Sequence, residues 1–147
     1  YESTLALIPA LAASMPMIMS TAGNAGSQSS IMVIRGISVD DMTIKDIGLV
    51  VWKELRIGIV IGVMMFVVNV LRLLIFTPDV GLMTDLVISG TVFLTILMAK
   101  VTGGLLPLVA LIFKQDPAAM ASPLITTIVD ALALIVYFNL AMHFLAL

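Results

Sequence analysis

An all-α integral membrane protein, folded as a helical bundle, is the class this sequence predicts, on three observations. Of 147 residues 61% are hydrophobic and only 11% charged, whereas a soluble domain carries about 25% charged residues. The mean hydropathy is +1.22. Long apolar stretches recur down the chain, each near the ~20 residues a membrane-crossing helix needs. A net charge of −2, with seven scattered basic residues, leaves no electrostatic footprint for nucleic acid. The absence of cysteine excludes disulfides, thiolate catalysis and Cys-ligated zinc, and a single histidine excludes a His-rich metal site.

Four spans are expected. The first is continuously apolar from about Leu5 to Thr21 and then dissolves into a Ser/Thr/Gly/Asn/Gln-rich run ending at Ser30, read as a kinked helix closing in a small-residue turn. Gly36 to Glu54 interleaves Asp40, Asp41, Lys45, Asp46, Lys53 and Glu54 with apolar Val39, Met42, Ile47, Val50 and Val51, the pattern of a short amphipathic helix on the membrane surface, with partner docking as the second reading. The second span runs from about Ile57 to Phe76, with Arg72 snorkelling at its end. The third begins near Leu86 and extends toward Phe113, interrupted by Lys100, Gly103-Gly104 and Pro107. The fourth opens at Pro123, which suits the first helical position, with Ser122 as its cap, and continues to the C-terminus. Basic residues between spans one and two, and Lys114, place those loops in the cytoplasm and both chain ends outside. With no cleavable leader and no initiating Met, an earlier helix is expected upstream of Tyr1.

Asp130 carries most of the functional information. It lies seven residues past Pro123, roughly 10 Å into the span at 1.5 Å per residue. A carboxylate there is unfavourable by several kcal/mol unless it meets water, a cation or a partner. Its helical face holds Pro123, Thr126, Thr127, Ala133, Leu134 and Tyr137, small and hydroxyl-bearing toward one end as a water-filled path requires. Pairing with Arg72 or Lys100 on a neighbouring helix, or simple protonation, is the structural alternative. A second cluster sits on the first span. Pro9 and Pro16 share a face and each removes a helical hydrogen bond, freeing carbonyls of a kind tolerated at depth only against protein or water. Gly23, Asn24, Gly26, Ser27 and Gln28 follow, with flexible backbone and hard oxygen ligands. Glu2 and Asp116 flank the spans at opposite mouths, Glu2 at the outer one, where acidic groups concentrate cations. Gly58 and Gly62 read as a helix-packing pair, Asn69 and Asn139 as interhelical hydrogen-bonding groups, and His143 as interfacial. The eleven methionines are scattered as packing residues rather than soft-metal ligands.

Pro16 with Gly23-Asn24-Ala25-Gly26-Ser27-Gln28, and Asp116-Pro117-Ala118 through Ser122-Pro123-Leu124 to Asp130 and Tyr137, resemble two motifs of the MgtE magnesium transporter membrane domain in the same order. The resemblance extends from about Glu2 to the C-terminus. It implies that residues 1–147 form a transmembrane ion-conducting domain with four of the family's five membrane helices. The first helix and the cytosolic sensor domain would lie elsewhere in the same polypeptide. It further implies a multi-pass protein of the plasma (inner) membrane, a homodimer conducting largely hydrated Mg²⁺ along its axis. Spans one and four would line the pore at Pro9, Pro16, Gly23, Asn24, Gly26, Ser122, Thr127 and Ala133. Asp130 of each subunit would hold the ion beside the Thr126 carbonyl, and Asp116 would bind regulatory Mg²⁺ at the cytoplasmic mouth. The sequence departs from the family where Ser122 replaces a frequent Asn and Thr126 a frequent small residue. Mg²⁺ suits such a site because it takes octahedral oxygen ligands and sheds water reluctantly; Mn²⁺ and Co²⁺ are of similar size when hydrated. Three other readings compete: a proton- or Na⁺-coupled secondary transporter using Asp130 as its coupling site, an intramembrane aspartyl protease, which lacks a second deep carboxylate, and a non-transporting scaffold.

Overall fold

The structure, a computed structural model, describes residues 2–118 and 123–145, with side chains described from Pro9 onward except Val80. Four α-helices make up nearly all of it: α1 (Glu2–Val39), α2 (Ile47–Phe76), α3 (Leu82–Ile112) and α4 (Pro123–Leu145), with short 3₁₀ turns at Ile44–Asp46 and Pro78–Val80. No strand occurs among the described residues. Three helical segments are long and apolar enough to cross a membrane: Ile44–Phe76, Leu82–Ile112 and Pro123–Leu145. Helix α1 is not among them, so three of the four expected spans are found by length and composition among the described residues. The Ser, Thr, Asn and Gln side chains of its second half dilute its apolar character.

Two further expectations change. The run from Gly23 to Ser30 is not a terminal turn but the middle of a 38-residue helix, uninterrupted at Pro9 and Pro16. The Ser29 hydroxyl bonds Glu54 of α2, and close packing on α3 and α4 holds the glycines in place. The expected surface helix over Gly36–Glu54 is absent. There α1 ends, the chain reverses, and α2 begins at Ile47. Asp41 adopts a left-handed conformation (φ 51°), and the amides of Asp40 and Met42 both donate to the Gly36 carbonyl. The Met42 side chain folds back on Gly36, where an added Cβ would meet the flexible Met42 Cε at 2.7 Å. The Asp46 carboxylate then accepts the Thr43 amide at 2.8 Å, starting the next helical segment.

Helix α3 is the centre of the bundle, packed against α1, α2 and α4, while α4 also packs on α1. It runs through Gly103-Gly104 and Pro107 without a break, and the two glycines explain why. A side chain at Gly103 would overlap the Gly26 carbonyl, and one at Gly104 would press on Glu54 and Val50. The third helix therefore uses its small residues to bring backbones together rather than to bend. Gly58 and Gly62 on α2 do the same against Leu97 and Phe93. Helix α3 closes with Lys114 left-handed (φ 55°), the Gln115 amide reaching Ala110 O and that of Lys114 reaching Leu111 O, the double bond of a Schellman end. The main apolar core joins Ile18, Ala22 and Ala25 of α1 to Ile88, Val92 and Ile96 of α3 and Ile125, Val129 and Ala133 of α4.

Candidate ion site between helices α1 and α4

The crossing of α1 and α4 is set by a glycine facing a carboxylate. A Cβ on Gly23 would lie 3.3 Å from Asp130 Oδ1 and 3.6 Å from Thr126 Cγ2, so the bare backbone at this point is what admits the acid. One turn on, Gly26 seats between Val129 and Ile125 of α4 and the Ala99 carbonyl of α3. These contacts fix the height of Asp130 along α1 and bury Gly23, Gly26 and Ala133 in the helix packing.

Asp130 is half-buried, yet its Oδ1 is fully covered and has no hydrogen-bond partner. The cations that would neutralise it within the chain are occupied elsewhere. Lys100 Nζ lies 3.9 Å from Glu54 Oε2, and Arg72 Nε donates to Asn69 Oδ1 at 3.1 Å. Among the described residues no cation is within ion-pair distance of Asp130, and no group of three acidic, His or Cys side chains forms a metal cage. Asp85 on α3, 2% exposed, likewise has an Oδ1 without a hydrogen-bond partner, but Asp130 is the half-exposed one of the two, where a proton or a charge from outside the chain can neutralise it.

Around it the surface is polar. Asn24, next to Gly23, is exposed, as is Ser20 one turn earlier. On α4, exposed Thr127 bonds back to the Pro123 carbonyl at 2.8 Å, and the Thr126 hydroxyl reaches the same oxygen at 3.0 Å. The open face of α1 continues through Pro9, Ala12, Ala13, Pro16, Ser20, Asn24 and Gln28, at helical spacing. A strip so rich in small and polar groups is poorly matched to acyl chains and well matched to close approach of another helix or of water. The structure therefore brings Gly23, Asn24, Gly26, Thr126, Thr127, Asp130 and Ala133 to one crossing, with Pro9 and Pro16 on the adjoining open face. Asp116 is remote from it, exposed in the turn after α3, where its carboxylate accepts the Ala118 amide at 2.9 Å. Glu2 opens α1, but its side chain, like all of Ser122, lies outside the described residues.

Sequence reasoning put Glu54 among the solvated charges of a surface helix, and the structure makes it the heart of a second, buried polar centre. Glu54 is only 3% exposed; it accepts the Ser29 hydroxyl of α1 and pairs with Lys100 of α3, tying three helices together. A signal was present: Val50, Glu54, Gly58, Gly62, Asn69 and Leu73 fall on one buried face of α2. Asn69 does make the expected interhelical bond, donating to Ser89 Oγ at 2.9 Å. Asn139 instead bonds its own helix at the Ile135 carbonyl, and His143 is exposed with its ring edge-on to Phe144.

Comparison with known proteins gives a consistent result. The MgtE family, described as divalent cation transporter, matches residues 15–140. Three curated relatives carry the name magnesium transporter MgtE. That of Bacillus subtilis is 35% identical over 145 residues, 99% of this chain and 32% of its own length. That of Thermus thermophilus is 28% identical over 96% of the chain and 31% of its own length. That of Enterococcus faecalis is 29% identical over 99% of the chain and 32% of its own length. The chain thus spans about a third of the length of these proteins.

Proposed function

Because this chain belongs to the MgtE family of divalent cation transporters, we propose that residues 1–147 form the membrane domain through which a homodimer conducts Mg²⁺, with Asp130 of each subunit holding the ion at the shared axis. The observation that carries this reading is the half-exposed Asp130 carboxyl seated against Gly23, its covered Oδ1 without a hydrogen-bond partner and Lys100 and Arg72 both engaged elsewhere. The names of the relatives supply the cargo, and the polar, small-residue face of α1 beside Asp130 supplies a surface on which a second copy fits.

The chemistry follows from charge and hydration. One carboxylate per chain cannot strip Mg²⁺, which holds its water firmly. Two facing carboxylates repel until a divalent ion sits between them, and they bind its water shell through hydrogen bonds without displacing it. The Asn24 amide and the Thr126 carbonyl add oxygens at the same level. A monovalent ion leaves one of two facing charges uncompensated, so selection by charge is built in. Mn²⁺ and Co²⁺, hydrated similarly, would pass or compete. Asp116, exposed in the turn after α3, would in this reading bind regulatory Mg²⁺ at the cytoplasmic mouth. The remaining two-thirds of the full-length polypeptide would supply the cytosolic sensor in cis, and the inner membrane is the setting.

The test is Mg²⁺ flux by the full-length protein in liposomes. Asp130→Ala is expected to abolish flux while insertion and dimerisation persist, and Asp130→Glu to retain part of it. Wild-type flux in Asp130→Ala would overturn the assignment.

A further inference from the structure

The apolar surface of α2 carries a groove that the transport reading does not use. Leu49, Trp52, Lys53, Arg56, Ile57, Val60 and Ile61 recur at helical spacing on one face of the helix and line a cavity of about 670 Å³. A second cavity of about 340 Å³ adjoins it, shares Lys53 and Ile57, and extends to Gln28 and Ser29 of α1. Trp52, Lys53 and Arg56 are open to the surface, Trp52 at 61%. Among the described residues neither Lys53 nor Arg56 lies within ion-pair distance of a carboxylate.

Depth along the helix sorts the groove into two chemistries. From Ile57 to Phe76 the helix continues for 20 residues, about 30 Å, the thickness of the hydrocarbon layer. Arg56 immediately precedes that stretch and Lys53 lies one turn before, so both cations fall at headgroup level. Trp52 beside them suits the same interface. Below them Ile57, Val60 and Ile61 offer only aliphatic surface, at acyl-chain depth. We propose that this groove binds an anionic glycerophospholipid, its phosphate between Lys53 and Arg56 and an acyl chain along Ile57, Val60 and Ile61. Charge complementarity selects the occupant: two unpaired cations directly above an aliphatic channel fit a molecule that is negative at the headgroup and apolar below it. Each Lys or Arg near an anionic lipid surface is worth about fivefold in affinity.

Native mass spectrometry of the full-length protein in detergent, titrated with phosphatidylglycerol or with phosphatidylcholine of identical chains, tests the site. Wild type is expected to retain phosphatidylglycerol up to about 25-fold more strongly, about fivefold for each of the two cations, and Lys53→Gln/Arg56→Gln to lose that preference. Lys114→Gln, at a cation in the turn after α3, should leave it unchanged. Val60→Trp, which fills the aliphatic part, should weaken both lipids alike. Equal retention of the two lipids by wild type, a preference that survives in Lys53→Gln/Arg56→Gln, or no retained lipid because another segment of the full-length chain fills the groove, would each overturn the proposal. So would displacement of phosphatidylglycerol by glycerol 3-phosphate at equal concentration, which would show that the aliphatic channel contributes nothing.

Discussion

The Tyr137 hydroxyl donates a 2.7 Å hydrogen bond to the Leu11 carbonyl, tying α4 to α1 two turns beyond Asp130. Tyr137 is 1% exposed, so neither group has water to fall back on. Together with the glycine contacts at Gly23 and Gly26, this bond fixes the rotation of α4 about its own axis and hence the direction in which the Asp130 carboxylate points.

Tyr137→Phe keeps the ring and removes the bond. It is expected to lower stability by about 1 kcal/mol, read as a fall in the thermal unfolding midpoint of the detergent-solubilised protein. Mg²⁺ flux should fall with it, because the acid is less firmly oriented.

Gly23→Val places branched methyl groups where Asp130 Oδ1 and Thr126 Cγ2 now lie, 3.3 and 3.6 Å from a first added carbon. Flux is expected to drop severely while the protein still inserts. Gly23→Ala, whose single carbon needs a shift of only a few tenths of an ångström, should be intermediate. Equal flux in all three proteins would show that the acid is not seated on this glycine.

The buried Glu54–Lys100 pair predicts a sign that surface pairs do not. Glu54→Leu strands an ammonium in the bundle, and a loss of about 3–5 kcal/mol is expected. Adding Lys100→Met to the same chain should recover most of that loss, as thermal midpoints of the single and double variants will show.

Gly103→Val drives a side chain into the Gly26 carbonyl at the α1–α3 crossing. Overpacking of this kind costs about 1–3 kcal/mol or more. Both stability and flux should suffer, since Gly26 and Gly23 share one helix. Gly48→Ala, with nothing within 4 Å of the added carbon, is the matched control.

Much of the bundle was legible in the sequence because lipid imposes a simple requirement, long apolar helices. The second and fourth spans end or begin within a residue of where composition placed them, at Phe76 and Pro123. Asp130 stood out for the same reason, as a charge where solvent is absent. What composition hid was the work done by small residues. Gly23, Gly26, Gly103 and Gly104 read locally as turn or breaker signals, but their role is set by partners on other helices. Glu54 read as surface because it continues the charged rhythm of the Gly36–Glu54 segment, and only the tertiary pairing with Lys100 and Ser29 reveals it as interior. The chain reversal at Asp40–Thr43 was obscured by an amphipathic rhythm that continues across it.

The unbroken course of α1 from Glu2 to Val39 has a mechanical implication. A rod of 38 residues, about 57 Å at 1.5 Å per residue, is nearly twice as long as the oily layer is thick, and from Asn24 to Gly36 it carries no proline at which to bend. Pushing or twisting its far tip near Gly36 therefore moves Asn24 as well, pivoting on the glycine crossings, so whatever grips that tip holds a handle on the helix face beside Asp130.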